Sequence, residues 1–504
     1  MNSIAVSFTF IQTPLNNKNW CKTQILKTAP LKSHTRNSLC FSSLSSPKPY
    51  IKPYNQTQEK DSIKQKTQTQ KLKDLVNKLN QEESNPLQIL RDEGDWSKDE
   101  FWTVIRFLKE TSQYNQILQV FESWKNMEKT RIDEVNYEKI IVLLGEAGLM
   151  EEAVTLLQEM KGHGFGASLR VYNCMIHGLA HGGDFENALI FLKEMVEESG
   201  VKPGVETYNG LLQAYGKCRM YDEMGKCVKR MESEGCVPDC VTYNLLIVEF
   251  AKGGLLKRME RAYRTMQSKR LDLKASTLFA MLEAYTDLGI VEEMEKIYRR
   301  ALNTRISFGE SLIRKIAGVY IKSFMFSRLD DFGIDMASRY GKKDLIWCLR
   351  LLSAARLLSK KGMDSIVREM ETAKFPWNIT TMNIMALAYL KMKDMRQLDI
   401  LLSQVQARAV KPDIITVGVL CDAAVIGFRV SGVVDLWRRM GFLDKKVEMN
   451  TDPLVLTAFG KGYFLSSCEV MYTSAEPEER EKRAWTYRDF IDLVSKHKSI
   501  DSSH

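Results

Sequence analysis

Apolar residues recur along this chain at the three- and four-residue spacing of one helix face, in short runs separated by polar breaks. In 205–239 the first run is Tyr208, Leu211, Leu212 and Tyr215, the break is Lys217-Cys218-Arg219, and the second run is Met224, Cys227, Val228 and Met231. Gly235 and Pro238 stop the second helix. The pattern then starts again. Tyr172-Asn173, Tyr208-Asn209 and Tyr243-Asn244 open successive copies at steps of 36 and 35 residues. A slot near the end of each copy runs Met160, Met195, Met231, Met266, Ala301, Met336, Met370, Val405 and Met440, at steps of 34 to 36. One pair of such helices cannot bury its own apolar faces. The units must therefore stack, and the pattern predicts an all-α solenoid of helix-turn-helix repeats.

Glycines at Gly148, Gly254 and Gly289 stand where a first helix ends, a place that favours a left-handed residue. The period divides the chain into a leader at 1–55, a polar linker with one isolated helix at 56–97, an array of about ten repeats at 98–448, and a C-terminal cap with a charged tail at 449–504. The isolated helix is expected over Leu72, Leu75, Val76 and Leu79. A last helix is expected around Trp485, Tyr487 and Phe490.

The formal net charge of +9 changes meaning once it is located. No acidic residue precedes Glu59, and Lys18, Lys22, Lys27, Lys32, Arg36, Lys48 and Lys52 bring +7, which leaves +2 for the rest. A basic, acid-free, Ser-rich leader reads as an organelle transit peptide, for a chloroplast or, as the alternative, a mitochondrion. No apolar run approaches the roughly 20 residues of a membrane span, so no membrane partner is expected.

The ten cysteines include no Cys-x-x-Cys pair. His177 and His181 share a helix face but have no acidic third ligand in sequence. No metal, cofactor or catalytic residue is expected: there is no Gly-rich phosphate loop, no carboxylate-rich nuclease segment and no deaminase zinc signature.

The Tyr-Asn opening, the glycine after the first helix, the Glu-Ala or Glu-Met early in the second and the closing Met and Gly-x-x-Pro-Asp resemble the pentatricopeptide repeat family. The match is specific in 169–274 and 379–413 and weaker in 98–168, 275–378 and 414–448. The resemblance implies a right-handed superhelix that binds single-stranded organellar RNA, supporting splicing, transcript stabilisation or processing without being an enzyme, alone or with other RNA-processing proteins. The competing expectation is a helical-repeat scaffold for protein partners, with 275–378 as its contact surface.

In that family the fifth residue of a repeat and its last residue read one base. Carried over, this pairs Asn173 with Gly204, Asn209 with Asp239, Asn244 with Lys274 and Asn383 with Asp413, and the Asn-Asp combination implies uracil. The bland alternative for Asp239 and Asp413 is capping of the next helix. Eight residues further on, His181, Lys217, Lys252, Lys322, Arg356 and Lys391 form a column that the resemblance assigns to phosphate contact. Cations also sit well at helix C-termini for dipole reasons alone.

Overall fold

The computed structural model describes residues 70–80, 85–94, 96–304, 307–341, 343–405, 408, 410–428, 437–438, 441–474 and 485–492. The leader at 1–55 and the charge run at 475–483 lie outside them. Among the described residues the chain is helical with no strand; the one β-bridge joins Lys446 and Thr486. Successive helix pairs are Lys98–Glu110 and Tyr114–Met127, Glu134–Glu146 and Met150–Gly162, Leu169–His181 and Phe185–Glu197, and Val205–Lys217 and Tyr221–Ser233. They continue as Cys240–Lys252 and Leu256–Ser268, Ala275–Asp287 and Val291–Leu302, Glu310–Lys322 and Phe326–Tyr340, Asp344–Arg356 and Lys360–Thr372, and Ile379–Met392 and Met395–Ser403. Ile414–Val425, Pro453–Phe459 and Gly462–Ser474 follow. The described residues fall into two compact units, 70–284 and 285–492.

The all-α repeat expectation holds. In the first unit each first helix from Glu134–Glu146 to Cys240–Lys252 packs on its own second helix, and these four first helices pack on one another in succession. The methionine slot explains the stacking: Met160, Met195, Met231 and Met266 are all at most 1% exposed, as are Ala301, Met336 and Met370 in the second unit. Burying each of these methionine side chains contributes roughly 1.5–3 kcal/mol. Close approach of first helices depends on small residues. A Cβ at Gly216 would collide with the Glu249 side chain of the next repeat, and one at Gly145 would collide with Cys174.

The turn between the two helices is the same in every copy. Ser112, Gly148, Gly183, Arg219, Gly254, Gly289, Phe324, Leu358 and Lys393 occupy one repeat position, with φ between 53° and 90°. Where the sequence offers no glycine, an L-residue takes the left-handed conformation at a cost of about 1–2 kcal/mol. Tertiary packing has set the backbone there against local preference.

Two features near the start differ from the sequence reading. The helix over 70–79 is not isolated, since Leu75 and Leu79 are 3% and 2% exposed. A further helix, Pro86–Glu93, interrupts the expected linker and packs on Tyr114–Met127. The Asn85 side chain accepts from Leu87 N at its start, where Pro86 has no N–H that needs an acceptor.

Candidate nucleic-acid interface

The last residue of a repeat is the N-cap of the next first helix. Asp239 Oδ1 accepts from Thr242 N at 2.8 Å, and Asp413 Oδ1 from Ile415 N at 3.1 Å and Thr416 N at 3.2 Å. Such caps contribute about 1 kcal/mol each. Capping is thus a real role of both aspartates, and it also presents each carboxylate beside the fifth-position asparagine. The cap's hydrogen bonds and the Asn209 amide hold Asp239 below the usual carboxylate range, against burial, which raises it.

A threonine missing from the sequence reading organises the column. The hydroxyls of Thr207, Thr242, Thr277 and Thr416 donate to the side-chain oxygens of Asn173, Asn209, Asn244 and Asn383, at 2.7, 2.8, 2.7 and 2.9 Å. Each threonine is at most 1% exposed and is the third residue of the following first helix. Its signal was present in sequence, since Thr207 and Thr242 precede the Tyr-Asn pairs. With its oxygen engaged, each asparagine has its NH2 group to offer.

The four pairs then diverge. Asn209 with Asp239 and Asn173 with Gly204 are half-exposed. Asn244 is 4% exposed and turns its Nδ2 inward, donating to the carbonyls of Cys240 at 2.6 Å and Asp272 at 3.0 Å, while its oxygen also accepts from Lys274 N at 2.9 Å. Lys274 is itself exposed. Asn383 and Asp413 are fully buried: Asn383 Nδ2 donates to Asp413 Oδ1 at 2.9 Å and to Thr451 Oγ1 at 2.6 Å. The sequence reading leaves Asn383 and Asp413 facing a base; in the structure the chain itself covers them. Of the two copies with no interpretable pairing, Phe279 is half-exposed and Cys348 is buried.

The cation column is also uneven. Lys217, Lys252, Lys322 and Lys391 are exposed, with Lys252 tied to Glu249 at 2.7 Å. Arg356 is not open: its guanidinium lies 4.9 Å from the Phe326 ring and 5.5 Å from Phe459. Desolvation and the nearby Lys217 push the His181 pKa below its ordinary value, which disfavours the cationic form at this position. Asn173, His177 and His181 line one open groove with Arg170, Glu146 and Glu206. His177 is engaged through Nε2 with the Thr207 carbonyl at 3.2 Å, which accounts for its place on this face without a ligand.

Comparison with known proteins agrees with this architecture. A sequence profile of the PPR repeat family matches residues 167–215 and 203–252, and a PPR repeat profile matches 137–165 and 241–271. The Arabidopsis thaliana pentatricopeptide repeat-containing protein At4g14190, chloroplastic, is 52% identical over 429 residues, covering 84% of this chain and 85% of that protein. A second Arabidopsis thaliana pentatricopeptide repeat-containing protein, At5g25630, is 31% identical over 26% of this chain and 23% of its own length. The crystal structure of PPR10 from maize aligns with a TM-score of 0.37 and 16% identity, over 82% of this chain and 60% of that one. With repeats at this period and a relative this similar over most of its length, the chain belongs to the pentatricopeptide repeat family.

Proposed function

We propose that this chain is a chloroplast RNA-binding factor that holds single-stranded RNA on the first-helix face of its repeats. It assists intron splicing, transcript stabilisation or processing, and catalyses no reaction itself. The observation that carries the reading is the pair Asn209 and Asp239. The amide oxygen is fixed by Thr242, the carboxylate is ionised, both residues are half-exposed, and Asn209 stands eight residues before the exposed Lys217 on the same helix. An amide and a carboxylate so placed offer a donor and an acceptor to the edge of an unstacked base. The acid-free leader and the chloroplastic relative support the compartment. RNA affinity measured against salt tests the function, since a phosphate-contacting column predicts a steep fall with ionic strength. Affinity that ignores salt, or none at low salt, refutes it.

A second reading, a scaffold for other RNA-processing proteins, is favoured by one observation. The helix turns of the weak repeats expose Leu288, Phe324 and Leu357 at 54%, 74% and 53%, and at the Phe324 position the specific repeats carry glycine, arginine or lysine.

A further inference from the structure

Beyond the last helix pair the chain turns back onto the first helices of the second unit. Glu448 O accepts from Ile414 N at 3.1 Å, and the next residues meet the fifth-position side chains of two repeats. Asp413 Oδ2 accepts from Asn450 N at 3.1 Å, Thr451 N at 2.9 Å and Thr451 Oγ1 at 2.7 Å. Asn383 Nδ2 donates to the same hydroxyl, so Thr451 Oγ1 accepts from the amide and donates to the carboxylate. A base edge read by this pair would supply that same acceptor and donor. Asp452 then pairs with Arg314, the fifth residue of the 310 repeat, at 2.5 Å, and its other oxygen caps Pro453–Phe459 through Leu454 N at 3.0 Å. That helix packs on Glu310–Lys322, Asp344–Arg356 and Ile379–Met392, and it brings Phe459 over Arg356 of the cation column.

We propose, resting on the RNA reading above, that Asn450–Phe459 is a resident peptide occupant of the base-reading face of the repeats from 310 to 413, so that these repeats read no base. Sequence preference then comes from the repeats at 169–274. The segment is held as core and not as a loose flap: Thr451 is 3% and Val455 0% exposed. Its continuation is anchored as well. Asp422 accepts from Tyr463 N at 3.1 Å and Phe464 N at 2.8 Å, and Gly462–Ser474 packs on Ile414–Val425. Displacing the segment would strip Asp413 of three donors and leave Arg314 without Asp452, a cost that an RNA base edge repays only in part.

Because Asn383 is buried and its replacement disturbs the core, the test uses the unaltered full chain. It is incubated with a randomised single-stranded RNA pool containing 4-thiouridine, photo-crosslinked and mapped by mass spectrometry, and amide exchange is followed with and without the same RNA. Crosslinks should fall in peptides from 169–274, and exchange at Thr451 and Asp452 should change by less than about twofold when RNA binds, against the 5- to 150-fold that a 1–3 kcal/mol coupling would produce. Crosslinks at Arg314 or Asn383, or loss of protection at Thr451 on adding RNA, would overturn the proposal, because the segment would then leave to admit a base. No crosslink anywhere at low salt would instead sink the RNA reading itself.

Discussion

His177 lies across Gly210. Its Nε2 donates to the Thr207 carbonyl at 3.2 Å, and a Cβ on Gly210 would collide with the imidazole ring. Two first helices of adjacent repeats thus interlock through a side chain on one and the missing side chain on the other. Gly210→Ala should destabilise the first unit by about 1–3 kcal/mol through overpacking. The same substitution in a His177→Ala background should cost much less, and a double-mutant cycle read by chemical denaturation checks the coupling. Additive effects would mean that the ring moves aside freely.

The same histidine makes stability depend on pH. Burial holds its pKa below the ordinary 6.5, with the Thr207 carbonyl and Glu206 opposing the shift in part. Below about 6.5 the unfolded chain binds a proton that the native imidazole refuses, so unfolding free energy falls with pH from there down to the native pKa. Above 6.5 the contribution is fully present. His177→Gln should flatten the stability profile between about pH 7 and pH 5. A profile as steep as that of the unaltered chain would assign the loss to other groups.

The shared turn position predicts opposite effects in two repeats. Leu358 has φ 53° and is 46% exposed, so Leu358→Gly removes backbone strain at little packing cost and should stabilise by about 0.5–1 kcal/mol. Gly254 has φ 67° with nothing near its would-be Cβ, so Gly254→Ala should destabilise by about 1 kcal/mol for backbone reasons alone. Denaturant midpoints at constant m-value decide both.

Lys217 and Lys252 should not contribute equally to RNA affinity. Lys252 is partnered by Glu249, whereas no ion pair is recorded for Lys217 among the described residues. Lys217→Ala should weaken all RNA sequences alike and shallow the salt slope by about 1, with a smaller change for Lys252→Ala. Equal, negligible effects would return both lysines to the role of helix-end charges.

How much of this was legible in the sequence follows from how local each signal is. The repeat period and the apolar methionine slot recur about every 35 residues, so pattern alone exposes them, while the Asn209 and Asp239 pair lies within one repeat and its role was implied by the family resemblance. The threonine column was visible as letters, but its role needed the hydrogen bond from Thr242 to the preceding repeat. Helix Pro86–Glu93 was masked by its polar composition, although Asn85 and Pro86 are a start signal. The covering of Asn383 and Arg314 had no sequence signal, because Thr451 and Asp452 belong to an aperiodic tail 68 and 138 residues away. The downward push on the His181 pKa depends on its surroundings and could not be read from residue type.

The covering changes the RNA sequence expected. Two complete pairs five repeats apart imply a target U-N-N-N-N-U, with one base per repeat and the strand running 5′ to 3′ from first repeat to last. With Asn383 and Asp413 engaged by Thr451, only the uracil read by Asn209 and Asp239 should remain strongly selected. The next base should be loosely read, because Asn244 spends its NH2 group on backbone carbonyls. Family pairing of Thr with Asp implies that Asn209→Thr moves the preference at that position from uracil toward guanine. Asp239 would stay in place to cap its helix, so the substitution tests reading apart from folding. A wrong base there should cost about 1–3 kcal/mol by analogy with mismatches at DNA sites. Binding selection on the unaltered chain and on Asn209→Thr measures this. Identical enriched motifs would show that Asn209 reads no base, and a second uracil five positions downstream in both would show that Asn383 does.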